Sequence, residues 1–207
     1  MRFIDISRPI HTGMPRWPGD TPAEFKLVAT IPQGGAVNVG RLTMSIHTGT
    51  HADAPFHYND HGAKIDAVPV ETFVGPARVV DIRGQATITT TRLATENFLA
   101  TPRVLFKSDS WPDPAVFPPD WPLLAPDVPA WLAARGVRLI GLDVPSVDQL
   151  GSKDLPIHHA CDAAGLIILE NLDLRAVAPG TYELIALPLK IKDGDGSPLR
   201  AVLRTLD

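Results

Sequence analysis

Apolar positions along the chain gather in short runs, some alternating with polar positions and some continuous, as strands do. Arg2–Ser7 is short, β-branched and alternating. Val37–His47 ends with Leu42, Met44 and Ile46 on one face and Arg41, Thr43, Ser45 and His47 on the other, the spacing of a strand. Arg78–Ile82 and Arg103–Phe106 read as short apolar strands. Val137–Leu142 and Leu166–Leu169 are nearly continuous apolar runs, as expected of strands buried on both faces. Thr181–Lys192 and Leu199–Arg204 flank Asp193-Gly194-Asp195-Gly196, a turn signal that predicts a closing hairpin.

Helical patterns are fewer. Thr91–Ala100 follows a run of threonines able to cap a helix. Pro129–Arg135 stops at Gly136, and Ile157–Ala164 stops at Gly165, both good C-terminal signals. Strands and helices interleave with strand in excess. The pattern predicts a mixed α/β fold, with residues 1–207 as one domain.

Composition narrows the class. Hydrophobic residues make up 44% of the chain, enough for a core without disulfides. The net charge of -4 and the lack of a basic stripe argue against nucleic acid as a partner. The single cysteine, Cys161, reads as a small buried residue and suggests a reducing compartment. MRFIDISRPI lacks the apolar core of a signal peptide, and no run approaches ~20 apolar residues. No membrane span is expected, and the expected location is cytoplasmic. The 21 prolines are about twice the ordinary share, clustered around Pro9–Pro22 and Pro112–Pro129. Those clusters predict ordered loops, since proline fixes φ and removes a donor.

The chemistry concentrates in His47-Thr48-Gly49-Thr50-His51-Ala52-Asp53-Ala54-Pro55-Phe56-His57. A helix like that of zinc-binding HExxH proteins fails here: Thr48, Gly49 and Thr50 are poor helix formers, Pro55 breaks a helix, and the glutamate is missing. In an extended segment the odd positions His47, His51, Asp53 and His57 share one side. Imidazole and carboxylate together suit a divalent transition metal, and the two oxygens of Asp53 can bridge two of them. His11 and His61 read as ordinary surface or core histidines. Trp17, between prolines, reads on its own as core cover. Glu170 closes the apolar run Leu166–Leu169, where a carboxylate must be paired or belong to a site. Asp143 also follows an apolar strand and receives no role.

The stretch resembles the H-x-G-T-H-x-D-x-P-x-H motif of the cyclase family of metal-dependent amidohydrolases at every fixed position: His47, Gly49, Thr50, His51, Asp53, Pro55 and His57. Trp17–Pro22, Val37–Gly40, Gly141–Asp148 and His158, twelve residues before Glu170, are similar to the bacterial kynurenine formamidase (arylformamidase) branch. The resemblance runs from about Ile4 to Arg204. It implies a mixed-sheet, barrel-like swivelling β/α/β domain and a homodimer. It implies two divalent metal ions per subunit, zinc as the rule with manganese as the substitute. His47 and His51 would hold the first, His158 the second, Asp53 would bridge, and Glu170 would bridge or complete the pair. His159 is the alternative to His158. His57 would be the acid/base and Trp17 would face the substrate ring. The implied reaction is hydrolysis of N-formyl-L-kynurenine to L-kynurenine and formate by a two-metal-activated hydroxide, in tryptophan breakdown. An aromatic wall from Trp17 and the 111–131 segment, supplied across a dimer interface, would fit such a substrate. Two other readings stay open: a family hydrolase acting on a cyclic amide or ester such as isatin, and a non-catalytic metal-binding module.

Overall fold

The computed structural model describes residues 1–206. In chain order its strands are β1 (Phe3–Asp5), β2 (Glu24–Ala29), β3 (Val39–Thr43), β4 (His51–Asp53), β5 (Val74–Asp81), β6 (Thr87–Ile88), β7 (Arg103–Lys107), β8 (Leu123–Leu124), β9 (Leu139–Leu142), β10 (Ile167–Glu170), β11 (Gly180–Ile185), β12 (Gly196–Pro198) and β13 (Val202–Arg204). The helices are α1 (Thr90–Leu93), α2 (Val128–Ala133) and α3 (Pro156–Ala164). Nine strands form one sheet in the order β1-β13-β11-β5-β7-β9-β10-β4-β12. Its middle, β5-β7-β9-β10, is parallel, and both flanks are antiparallel. The sheet curls into a half barrel, so the mixed, barrel-like α/β reading holds.

The continuous apolar runs divide between two cores because successive side chains point to opposite faces. Val80, Val104, Phe106, Ile140, Leu142 and Ile168 pack under α2 and α3. Val79, Leu105, Leu139 and Leu169 face the other way, onto Ile6, Phe73, Leu184 and Leu203. Each such fully buried side chain contributes about 1.5–3 kcal/mol. Cys161 is buried in the first core, as expected.

Three local expectations change. Helix α1 has its threonine cap, with Thr89 accepting from the Arg92 N–H, but it ends at Leu93 rather than Ala100. Asn97 takes the Leu99 N–H with its own side chain, a turn that competes with the helix while Leu93 and Phe98 go into the core. Strand β3 ends at Thr43, because Ser45 starts a turn that receives the Thr48 and His47 N–H groups. The Asp193–Gly196 turn does not close a hairpin. β11 does pair with β13, but the chain between them crosses to the opposite edge, where β12 pairs with β4. Helix α3 stops at Gly165, at positive φ, as predicted, whereas α2 ends at Ala133, two residues short of Arg135, and Gly136 at positive φ closes the turn that follows. Both proline clusters are loops around short or irregular elements.

Candidate metal centre and active site

β4 is a three-residue strand held between β10 and β12, and it carries the centre of the site. Gly49, at φ 72°, makes the turn into it. His51 and Asp53 alternate with Ala52, so both side chains leave on the same face. Glu170 stands directly across from His51 in the β10 register and joins them there. On the other edge, Gly196 lets β12 approach: a Cβ at that position would lie 2.7 Å from the Ala52 carbonyl and 3.0 Å from His47.

The buried ring of His51 is oriented by its neighbours. Its Nδ1 donates to the Gly49 carbonyl at 2.9 Å. With Nδ1 so committed, the ring turns Nε2 toward Asp53 Oδ1 at 3.3 Å and Glu170 Oε2 at 3.5 Å. Neither that Nε2 nor Asp53 Oδ2 has a hydrogen-bond partner among the described residues. Lone pairs facing lone pairs in a buried site repel, and a cation is what resolves them.

His158 is built in the same way. Asp148 accepts the first N–H groups of α3, from Ile157 and His158, at 3.0 Å each. The same carboxylate takes His158 Nδ1 at 2.7 Å. Its partner fixed, His158 directs Nε2 to Asp53 Oδ2 at 3.7 Å and Glu170 Oε1 at 3.8 Å. A carboxylate behind an imidazole is the usual way of orienting a metal-binding histidine. His159, by contrast, is exposed.

His47 lies 2.9 Å from Asp53 through Nδ1 and 2.9 Å from Asp195 through Nε2. Three groups of potential ligand atoms result, each within 4.8 Å: His47, His57 and Asp195 at the rim, and two deeper ones, His47, His51 and Asp53, then Asp53, His158 and Glu170. Asp53 belongs to both deeper groups. Its Oδ1 faces the first pair of histidines and its Oδ2 faces His158. This is the arrangement of a carboxylate that can bridge two ions.

Charge reinforces that reading. Burial would raise the Asp53 carboxyl, but the imidazoles of His158, His47 and His51 around it outweigh burial and lower its pKa well below the usual range. Glu170 goes the other way, raised by burial and by Asp53 beside it. Burial would lower both His47 and His158. The carboxylates beside them, Asp195 and Asp53 for the first and Asp148 and Asp53 for the second, instead carry each to about 10. The site gathers positive charge around its carboxylates, by protons where no metal supplies it.

His57 sits at the rim, in a 3-10 turn begun by Pro55. Its ring stacks on His47 with centroids 3.9 Å apart, and its Nδ1 is 3.8 Å from Asp195. Burial, partly offset by Asp53, lowers its pKa below the ordinary imidazole value. Trp17 packs edge-on against Phe117 at 5.8 Å and Trp121 at 6.2 Å. This aromatic wall comes from the two proline loops of one chain and needs no second subunit to form. Trp17, His57, Ser146 and Leu155 line a cleft of about 410 Å³ over His158 and Glu170.

Sequence reading did not assign Asp148, Asp195 or Tyr58. The ring of Tyr58 lies 5.1 Å from that of His158. Asp195 was visible only as part of a turn signal. Asp143 proves to be a loop anchor, accepting from Ser108 N, Ser108 Oγ and Asp109 N. His11 and His61 are exposed.

The Cyclase family model matches residues 4–149. The chain belongs to the cyclase family. Within that family it is 46% identical to a kynurenine formamidase of Bacillus cereus over 204 residues, which covers 99% of this chain and 98% of the relative. Among solved structures it is similar to one described as a potential metal-dependent hydrolase with cyclase activity, at 30% identity and a TM-score of 0.81, covering 98% of this chain and 96% of the other. It also resembles isatin hydrolase A from Labrenzia aggregata bound to benzyl benzoate, at 26% identity and a TM-score of 0.84, covering 100% of this chain and 94% of the other. No helix of the described residues is long and apolar enough to cross a membrane.

Proposed function

We propose that this cyclase-family chain is an arylformamidase that hydrolyses N-formyl-L-kynurenine to L-kynurenine and formate, using two divalent metal ions. The observation that carries the metal reading is Asp53, shared by two ligand groups and facing an unpartnered, buried His51 Nε2. The substrate reading is supported by full-length similarity to a kynurenine formamidase. His47, His51 and Asp53 would hold one ion, and Asp53, His158 and Glu170 the other. Three imidazoles with two carboxylates suit zinc first and manganese second. Bound there, the ions would supply Lewis-acid polarisation of an amide carbonyl and acidification of a water.

The chain's own residues do the rest. Trp17, braced edge-on by Phe117 and Trp121, offers an apolar ring in the cleft to an aryl substrate. His57 is left neutral near pH 7 by its lowered pKa. It takes a proton from the attacking water and returns it to the aniline nitrogen as the C–N bond breaks. Oxygen from water ends on the formyl carbon as formate, and the amine departs neutral. Asp148 and Gly49 keep the two deeper imidazoles in the tautomer that faces the carboxylates.

A homodimer is the proposed assembly. The β2–β3 hairpin stands apart from the main sheet and exposes Phe25, Leu27, Val28, Val39 and Leu42. A bare two-stranded ribbon is marginal alone, and an apolar one calls for a partner. Sedimentation should give twice the 22.3 kDa chain mass.

Likeness to isatin hydrolase A supports a second reading, opening of a cyclic amide on the same machinery. The deciding experiment follows kynurenine absorbance with purified protein, with and without chelator, beside parallel isatin assays and a metal count. Fast, chelator-sensitive formamide hydrolysis with about two ions per chain is expected. Turnover of isatin alone would transfer the assignment to the second reading.

A further inference from the structure

A second cavity, about 240 Å³, adjoins the metal cleft and shares Trp17, His47 and Pro145 with it. Its walls are aromatic and apolar: Trp111, Phe117, Met14. Three arginines also reach it: Arg8, Arg16 and Arg175. Arg175 is already paired, forking Asp173 at 2.8 and 2.7 Å. Arg16 donates its Nε to the Asp20 carbonyl at 2.7 Å.

Arg8 is different. Its guanidinium lies over the Trp111 ring, 3.8 Å from the centroid. It gives Nη2 to the Asp143 carbonyl at 3.1 Å, while its buried Nε has no partner, and among the described residues it has no salt bridge. An unpaired guanidinium donor away from water is costly, and a carboxylate is the acceptor that fits its fork. The Arg8 backbone is also tied to the turn before the metal strand: its main-chain N–H donates to Thr50 Oγ1 at 2.8 Å, one residue before His51. Stacking on Trp111 and that tether hold the charge beside the centre.

We infer that Arg8 anchors the α-carboxylate of the substrate. The aryl ring would rest at Trp17, where the two cavities meet, with the formamide toward the metal cleft and the amino-acid tail in the second cavity. This assignment rests on the aryl-formamide reading above and deepens it: it makes the enzyme selective for formamides that carry a carboxylate.

The test compares 4-(2-formamidophenyl)-4-oxobutanoate, N-formyl-L-kynurenine without its amino group, with N-formyl-2-aminoacetophenone, which keeps ring, ketone and formamide but has no carboxylate. The metal-loaded wild type should favour the first by about 10- to 100-fold in kcat/KM, the worth of one charge-assisted pair. Arg8→Gln should erase most of that preference, chiefly through KM, and Arg8→Lys should restore part of it. Equal wild-type turnover of both substrates overturns the anchor alone, and that measurement needs no variant to fold. A parallel fall on both substrates in Arg8→Gln, with the preference intact, also overturns it. A metal-loaded wild type that cleaves neither of these formamides, nor N-formyl-L-kynurenine itself, sinks the functional reading and the anchor with it.

Discussion

The two walls of the cleft are built differently. The polar wall stands on regular elements: His51 and Asp53 on β4, Glu170 on β10, His158 on α3. Each of these side chains is nearly fully buried. The aromatic wall stands on loops: Trp17, which lines the cleft, in the first proline cluster, with Phe117 and Trp121 packed behind it from the second. Trp17 and Phe117 are only partly buried. The difference teaches how labour is divided. Ion-holding groups must sit within tenths of an ångström, so they belong on hydrogen-bonded frames. Recognition of a ring tolerates more, and loops stiffened by proline supply it.

The comparison can be broken from the polar side first. Asp53→Asn removes the charge common to both deeper ligand groups. Metal content should fall below one ion per chain, and hydrolysis by about 1,000-fold, judged from the cost of breaking a buried charge pair. Full metal content with near-normal turnover would refute the bridging assignment. His57→Ala tests the rim. Turnover should drop by about 100-fold or more while metal content stays at the wild-type level. Loss of metal together with activity would make His57 a ligand instead. Asp148→Asn acts one step further back, through His158. Metal affinity should weaken by about 10- to 100-fold, with activity recovered at high metal concentration. An unchanged chelator titration would mean that Asp148 only caps α3. The aromatic wall gives the smallest effect. Trp17→Leu should cost about tenfold or less in kcat/KM, mostly in KM, since an aromatic contact contributes about 0.5–1.5 kcal/mol. A collapse of kcat at unchanged KM would place Trp17 in the chemistry rather than in ring binding.

Much of the site was legible because its residues are close in sequence and chemically unusual. His47, His51, Asp53 and His57 lie within one stretch, and their odd spacing implied a shared side. The structure grants that for His51 and Asp53 by strand geometry. His47 and His57 arrive from a serine-initiated turn and a 3-10 turn, which periodicity does not describe. Glu170 was readable as a carboxylate ending an apolar strand. Asp148 and Asp195 were not, because nothing local distinguishes them. Asp148 matters through a bond made ten positions later in the chain. Asp195 matters because a supposed hairpin turn crosses the molecule to reach β4.

The sequence by itself determined the doubly buried strands β9 and β10, the stop of α3 at glycine, and the imidazole and carboxylate chemistry of the site. These follow from local rules: the burial of continuous apolar runs, the freedom of glycine at positive φ, the chemistry of imidazole and carboxylate. Only the tertiary structure decided which histidine of the 158–159 pair faces the carboxylates, that Asp53 divides its two oxygens, and that Arg8 makes no salt bridge among the described residues. Those depend on long-range register and burial, and a buried polar group's partner is chosen by what the fold brings within three ångströms of it.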